Sequence, residues 1–136
     1  MSKKPNVLFI ITDQQYAGAM SCAGNPDLET PAMDGLNERG VRFEKAYCTQ
    51  PLCAPCRASF ITGLMPHQTG VVGNKDPLAP ELKDQAMGHL LRAAGYDCGY
   101  AGKWHIQKKL HRRFHFIFSQ YFSKSFFSTL LGKTID

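Results

Sequence analysis

The 136-residue sequence lacks long hydrophobic runs, internal repeats and low-complexity tracts. Its most continuous apolar stretch, residues 7–11, is followed at once by polar Thr12 and Asp13. That stretch is far shorter than the roughly 20 apolar residues of a membrane-spanning helix, and no signal peptide is recognisable around it. The absences argue against repeat architectures and a spanning helix, and they predict a cytoplasmic location.

An even number of cysteines and a uniform excess of charge are also absent. Five cysteines do not favour a complete disulfide framework. Residues 1–105 carry ten basic and ten acidic side chains, whereas residues 106–136 carry six basic ones and only Asp136. The net charge of +5 therefore belongs to the C-terminal segment, and no nucleic-acid partner is predicted. Hydrophobic content of 43% is ordinary for one globular domain.

The most informative stretch is residues 51–63, which has the pattern of a loop that leads into a helix. Pro55 fits a first helical turn, and Gly63 fits a helix end. Ala58, Phe60 and Ile61 are expected to form the apolar face. Cys53 then lies at the helix N-terminus with Arg57 one turn later. Free backbone N–H groups, the helix dipole and a guanidinium would converge there, and such a place binds an oxyanion.

The motif Cys53-x-Pro-x-Arg57, followed by Ala-Ser-x-x-Thr-Gly, resembles the signature of the type I sulfatases of the alkaline phosphatase superfamily. The resemblance implies that a formylglycine-generating maturation enzyme converts Cys53 to formylglycine (3-oxoalanine). The hydrated aldehyde would be the nucleophile that attacks a sulfate ester, either a small molecule or a sulfated glycan. Arg57 would hold the modified residue and its charge.

Residues 6–13 form an apolar, β-branched run that predicts a strand buried on both faces, with Asp13 at its carboxyl end. Asp13 and the residue after it resemble the family's first metal-binding segment, although Gln14 stands where many members have a second aspartate. The resemblance implies a divalent cation, Ca²⁺ first and Mg²⁺ or Mn²⁺ as alternatives. Asp13, modified Cys53 and Gln14 would be its ligands, the amide of Gln14 without a charge.

A second stretch of the family pattern ends in Gly-Lys103-Trp-His105, after a predicted short strand. It resembles the segment in which the family's lysine and histidine contact sulfate. Lys103 would neutralise the bound ester as a point cation. His105 would hydrogen-bond the substrate or donate a proton to the leaving oxygen.

The remaining patterns predict two helices and one further strand. Thr30 and Pro31 begin a helix that Gly40 ends. Residues 41–47 alternate as a strand, and residues 81–94 form a second helix that ends at Gly95. The expected buried faces are Ala32, Met33 and Leu36 in the first helix, and Leu82, Met87, Leu90, Leu91 and Ala94 in the second.

Residues 106–136 are basic, hold seven of the fifteen aromatic residues, and show no resemblance to the family. A strand beginning at Phe114 and a basic amphipathic helix from Ser119 fit the pattern, and the latter would be a membrane-seeking anchor. We expect instead that a truncation or frameshift produced this segment. The domains are thus 1–105, an incomplete sulfatase-like region, and 106–136.

The implied fold is α/β, the N-terminal part of an alkaline phosphatase-like, mostly parallel sheet with helices on both faces. The implied activity is metal-assisted hydrolysis of a sulfate ester, weak or absent in this chain alone. Alternatives are a phosphonate or phosphate ester hydrolase of the same superfamily, a catalytically dead fragment, and a thiol oxidoreductase using Cys53 and Cys56. The spacing of Cys48, Cys53 and Cys56 also fits three iron–sulfur ligands.

Overall fold

A computed structural model of the chain describes residues 4–106 and 117–118. The chain divides into two compact units, Met1–Tyr47 and Cys48–Asp136. Two 3₁₀ segments, Ser21–Ala23 and Pro80–Gln85, accompany the regular elements. The regular elements are α1 (Pro31–Arg39), α2 (Cys53–Thr62), α3 (Pro66–Thr69), α4 (Met87–Ala93), β1 (Tyr100–Ala101) and β2 (Ile117–Phe118).

Helix α1 of the first unit begins after Thr30 and ends before Gly40, as the sequence predicts. A polar cluster ties it to the preceding 3₁₀ segment through the Asp34 carboxylate. That carboxylate accepts hydrogen bonds from the Ser21 hydroxyl at 2.6 Å and from the Cys22 amide at 3.0 Å. The Thr30 hydroxyl donates to it at 3.1 Å. These bonds, the one from Ser21 foremost, hold the pKa of Asp34 below its usual range.

The expected apolar face of α1 is not buried. Ala32 is exposed, Met33 is half-buried, and Leu36 is 62% exposed. A helix face is buried only when another element packs an apolar surface against it. Within residues 4–47, the side-chain hydrogen bonds between α1 and other segments involve the 3₁₀ segment, Gln15 and Arg42, which are polar partners. The expectation of a buried face on α1 is therefore wrong.

The two predicted strands of the first unit are not observed. Residues 6–13 and 41–47 have no strand assignment, and Leu8 and Phe43 are 85% and 78% exposed. A buried strand of a parallel sheet needs a hydrogen-bonded strand on each side and helices over both faces. Neither run is paired with a strand in the described part of the chain. The predicted sheet is thus not confirmed.

Helix α2 of the second unit has the predicted bounds. It begins at Cys53 after extended Leu52, and it ends at Gly63, whose φ of 72° suits a residue without a side chain. The Gly63 amide donates to the Ser59 carbonyl at 2.8 Å. Ala58 and Ile61 are buried as expected, whereas Phe60 is 43% exposed and lies off the buried face.

The core of the second unit forms where α2 packs against the chain that follows it. Ala58 and Val71 are 0% exposed and Leu78 is 1% exposed. Burying a side chain of the size of valine or leucine contributes about 1.5–3 kcal/mol. The whole buried cluster consists of Ala54, Ala58, Ile61, Val71, Leu78, Leu82, Ala86, Trp104 and Ile106.

The predicted helix over residues 81–94 is divided in two. Pro80–Gln85 is a 3₁₀ segment, Ala86 is extended with φ −65° and ψ 139°, and α4 follows. Residues four apart share a face of a continuous helix. Leu82 and Ala86 are buried but Leu90 is 57% exposed, because the break at Ala86 changes the direction of the chain. Of the other expected core residues, Met87 and Leu91 are half-buried and Ala94 is exposed.

The strand predicted before the Gly-Lys-Trp-His motif is present as β1. It pairs in parallel with β2, with Tyr100 opposite Ile117 and Ala101 opposite Phe118. β2 falls within the strand predicted from Phe114. The predicted helix from Ser119 and the boundary between residues 105 and 106 lie outside or at the edge of the described residues, and they stay predictions. No described helix is long and apolar enough to cross a membrane.

Candidate functional site

The start of α2 carries the candidate nucleophile. Cys53 is the first residue of the helix, is half-buried and has a free thiol. The Lys103 ammonium donates to its sulfur across 3.4 Å. The two residues are 50 positions apart in sequence, so the fold of the second unit brings two of the predicted site residues together. A fixed cation beside a nucleophile at a helix N-terminus favours an anionic substrate.

Arg57 lies one turn after Cys53 and is only 7% exposed. Its guanidinium donates to the Lys103 backbone carbonyl at 2.6 Å. The sequence predicts the position of Arg57 on α2, and the structure adds that the guanidinium holds the segment that bears Lys103. Cys53, Arg57 and Lys103 are therefore one connected group.

Tyr100 is a member of this group that the sequence reasoning missed. Its hydroxyl donates to the same Lys103 carbonyl at 2.5 Å, and its ring meets Trp104 edge-on with centroids 5.0 Å apart. Burial raises the pKa of the Tyr100 hydroxyl, and the Arg57 guanidinium acts against that rise. The available signal was an aromatic hydroxyl in the strand three residues before Lys103.

Asn74 is a second missed residue, because it caps α2 from a distance. Its side-chain oxygen accepts a hydrogen bond from the Ala54 amide at 3.1 Å. The first amides of a helix have no partner inside the helix, so an acceptor has to come from elsewhere. Leu52, the residue before α2, provides no side-chain cap. That missing local cap was the signal for a remote one.

The loop before α2 is fixed at two points. The Thr49 hydroxyl donates to the Ser59 hydroxyl at 2.8 Å, and the Gln50 amide donates to the Val72 carbonyl at 3.0 Å. These bonds connect residues 48–52 to the helix and to the chain beyond it. They hold Cys53 at a defined place as the chain enters α2.

His105 lies next to the group, but no described hydrogen bond joins it to Cys53 or Lys103. It is exposed, and its φ of 54° is the left-handed conformation that few residues other than glycine adopt. Its neighbours Trp104 and Ile106 are both 5% exposed. Two buried anchors thus fix the backbone on either side of an outward-facing imidazole, and the role of His105 toward sulfate stays a prediction.

The predicted metal ligands Asp13 and Gln14 belong to the first unit and Cys53 belongs to the second, and their roles stay predictions. Asp13 and Gln14 are exposed members of the first unit, and Gln14 has a positive φ of 57°. In residues 4–106, no three or more His, Cys, Asp or Glu side chains are grouped to hold a metal ion. Because Ca²⁺ takes about six to eight oxygen ligands, Asp13, Gln14 and a modified Cys53 would provide only part of its coordination shell.

The other two thiols near Cys53 are also free. Burial raises the pKa of the Cys56 thiol, the neighbouring Cys48 thiol adds to the rise, and the Arg57 guanidinium opposes it. Cys48 is exposed and Cys56 is half-buried. The three sulfurs are not grouped as metal ligands within residues 4–106, so the structure gives no support to the iron–sulfur alternative.

Comparison with known proteins gives a consistent result. The family model described as Sulfatase matches residues 5–133. The chain is similar to an ulvan-active sulfatase of Formosa agariphila, with 40% identity over 110 residues. That alignment covers 81% of the chain and 21% of the relative.

Two further relatives have comparable coverage. N-acetylglucosamine-6-O-sulfatase of Bacteroides thetaiotaomicron is 36% identical over 105 residues, covering 77% of the chain and 18% of the relative. Arylsulfatase A of Homo sapiens is 34% identical over 112 residues, covering 78% of the chain and 22% of the relative. The chain therefore spans about a fifth of the length of these curated relatives.

Proposed function

The chain belongs to the sulfatase family, and we propose that it carries the nucleophile region of a sulfuric ester hydrolase. The family implies an alkaline phosphatase-like α/β fold. The observation that carries the proposal is the contact between the Lys103 ammonium and the Cys53 sulfur at 3.4 Å. It joins the two motifs on which the sulfatase resemblance depends.

Cys53 would be the residue that a formylglycine-generating enzyme converts. Formylglycine at residue 53, as its hydrate, would supply the hydroxyl that bonds to the ester sulfur while the S–O bond to the alcohol breaks and the alcohol oxygen takes a proton, and its second hydroxyl would allow sulfate to leave as the aldehyde re-forms. The position of Cys53 supports this role, because it is only half-buried at the end of a helix. An anionic group at residue 53 would face the positive end of the α2 dipole.

Lys103 and Arg57 would both stabilise the negative charge of the sulfate group, in different ways. The Lys103 ammonium is a point cation at the reacting residue, and it would attract and hold the anionic sulfate group. Arg57 is buried and donates to the Lys103 carbonyl, so its hydrogen bond would hold Lys103 in place. Its positive charge would add to the attraction for the sulfate group. His105, exposed at the end of the same motif, would donate a proton to the leaving oxygen.

The substrate would be a sulfate ester of a small molecule or a glycan. Two of the similar proteins are an ulvan-active sulfatase and an N-acetylglucosamine-6-O-sulfatase, which supports a sulfated glycan as the substrate class. An exposed His105 and a half-buried Cys53 leave the reacting residues accessible, as esters of bulky alcohols require.

The test is turnover of an aryl sulfate and an aryl phosphate by the chain co-expressed with a formylglycine-generating enzyme. We expect slow turnover that favours the sulfate, is abolished in Cys53→Ala and persists in Cys56→Ala. Cys56 is the matched control because it lies on the same helix, one turn later. Preference for the phosphate, or turnover that survives Cys53→Ala, would each contradict the proposal.

A further inference from the structure

The Lys103 backbone carbonyl is held by two side chains, and the proposed chemistry uses only one of them. Arg57 donates to this oxygen at 2.6 Å and Tyr100 donates to it at 2.5 Å. Burial raises the pKa of the Tyr100 hydroxyl, and the Arg57 guanidinium also acts against that rise. Arg57 and Tyr100 thus meet at the carbonyl of the residue that carries the ammonium.

The ring of Tyr100 is itself fixed. It packs edge-on against Trp104 with centroids 5.0 Å apart and an interplanar angle of 90°. Trp104 is 5% exposed and belongs to the buried core, against which Tyr100 packs. Tyr100 also lies in β1, so its backbone is paired with β2. The hydroxyl is therefore at the end of a ring whose position the core determines.

We propose that Tyr100 is a positioning residue for the candidate site: through the Lys103 carbonyl, its hydroxyl fixes where the Lys103 ammonium stands relative to the Cys53 sulfur. The main chain at Lys103 has a two-donor anchor, and the flexible lysine stem starts from that anchor. Without the Tyr100 hydroxyl, the carbonyl would lose one of these two donors, and the ammonium would spend less time near residue 53. The importance of this effect for hydrolysis rests on the proposed function, whereas the geometry can be tested separately.

The position of the ammonium can be measured with two alkylating reagents on the unconverted thiol. Iodoacetate is anionic and iodoacetamide is neutral, and each forms an S–C bond at Cys53 while iodide leaves. The thiol proton passes to the buffer in both reactions. The thiolate population and the accessibility of the site affect both rates alike, so the ratio of the two rates at one sulfur does not depend on them. It therefore reports the local positive charge, which also attracts a sulfate ester.

The experiment uses the whole chain, expressed without a maturation enzyme, and peptide mass spectrometry to follow each cysteine. We expect Tyr100→Phe to lower the iodoacetate-to-iodoacetamide ratio at Cys53 about two- to threefold. Lys103→Met should lower it roughly fivefold, the effect of one unit charge about 4 Å away in water. Tyr47→Phe is the matched control and should leave the ratio unchanged, because Tyr47 is 88% exposed. Cys22, beside Asp34 in the other unit, serves as the internal reference.

A double variant separates positioning from a general structural role. In the Lys103→Met background, Tyr100→Phe should cause no further change in the ratio, since the charge that the hydroxyl positions is gone. An unchanged ratio in Tyr100→Phe would overturn the proposal. Equal acceleration of both reagents at Cys53 and at buried Cys98 would overturn it as well, because the hydroxyl would then hold the fold rather than the lysine.

The proposal and the proposed function fail in different ways. A chain that never acquires formylglycine, or never hydrolyses an aryl sulfate, would still show the effect of Tyr100 on the alkylation ratio. A chain that hydrolyses aryl sulfate but keeps its ratio in Tyr100→Phe would retain the function and exclude Tyr100 as the residue that positions Lys103.

Discussion

At the scale of the residue, Arg57 is the side chain whose surroundings differ most from those of an ordinary surface arginine. It is 7% exposed and donates to the Lys103 carbonyl at 2.6 Å. By contrast, Arg42 lies on the surface. It donates to Asn37 and forms an ion pair with Glu44 at 3.2 Å, and both side chains of that pair are accessible to solvent. The two arginines therefore form a matched comparison of a buried and an exposed cation.

We predict that Arg57→Met lowers the free energy of unfolding by about 1–3 kcal/mol, because hydrogen-bond acceptors in a buried place lose a charged donor. Arg42→Met should change it by less than about 1 kcal/mol, as for other exposed pairs. Urea denaturation followed by tryptophan fluorescence measures both, since Trp104 lies in the core. Equal effects of the two substitutions would show that the burial of Arg57 has no energetic consequence.

Cys56 gives a prediction about pH. Burial raises the pKa of its thiol, and Cys48 adds to the rise, so the folded chain keeps the proton at a pH where the unfolded chain releases it. The contribution to stability is complete below the unfolded pKa and is lost as pH rises toward the folded one. We expect the free energy of unfolding to fall above about pH 8.5, where an ordinary thiol ionises. Cys56→Ala should make that decline shallower.

The measurement for Cys56 is urea denaturation under reducing conditions at about pH 7, 8.5 and 10. Tyr100 should add its own decline at still higher pH, because burial raises the pKa of its hydroxyl too. The same slope in Cys56→Ala and in the unchanged chain would contradict the assignment of the first decline to Cys56.

At the scale of the element, α2 shows what its sequence determines locally and what it does not. The bounds of α2 are determined locally. Pro55 favours a helix start at Cys53, and Gly63 ends the helix. The amide of Ala54, however, is satisfied by Asn74, 20 residues away. Such a cap depends on the path of the intervening chain and is not encoded in the helix itself.

We predict that Asn74→Ala destabilises the second unit by about 1 kcal/mol through the loss of this cap. Asn74→Asp keeps an acceptor oxygen and adds a negative charge near the positive end of α2, so its stability should equal or exceed that of the unchanged chain. Thermal denaturation followed by circular dichroism compares the three proteins. Equal melting temperatures for Asn74→Ala and Asn74→Asp would exclude the cap.

The predicted strands and the second predicted helix show the limit of reasoning from periodicity. Residues 6–13 have a strand-like composition, but a strand exists only with its hydrogen-bonded neighbours, and the pattern does not contain them. Residues 81–94 have helical spacing, yet the extended backbone of Ala86 interrupts them and leaves Leu90 exposed. Site residues were more predictable, because Cys53, Arg57 and Lys103 belong to motifs. Tyr100 has only the weaker signal of its place three residues before Lys103, and its hydrogen bond identifies it.

At the scale of the whole molecule, the two units differ in how much they bury. No described residue before position 48 is buried, and the core cluster lies entirely within residues 54–106. Large apolar side chains in residues 4–47 are correspondingly exposed, among them Val7, Leu8, Phe9, Ile10, Val41, Phe43 and Tyr47. Since stability within a protein follows local burial, the second unit should dominate the cooperative unfolding of the chain.

We predict that amide hydrogen exchange is slowest in α2 and around Val71 and Leu78, and fast in residues 6–13 and 41–47. Mass spectrometry of peptides from the exchanged chain measures both groups in one sample. The exposed apolar runs should also bind the dye 8-anilinonaphthalene-1-sulfonate, and Leu8→Lys should reduce that binding. Slow exchange in residues 6–13 comparable with that of α2 would indicate a buried strand and contradict the structure.

The most direct test of the central claim, that Cys53 is the residue built to become the nucleophile, is mass spectrometry of the chain co-expressed with a formylglycine-generating enzyme. Conversion of a thiol to an aldehyde lowers the mass by about 18 Da, a change distinct from the mass gains of the ordinary cysteine oxidation products. We predict that this loss occurs once, maps to the peptide that contains residue 53, and disappears in Cys53→Ala. A peptide that carries an unconverted Cys53 throughout, or a loss that maps to Cys56, would contradict the account.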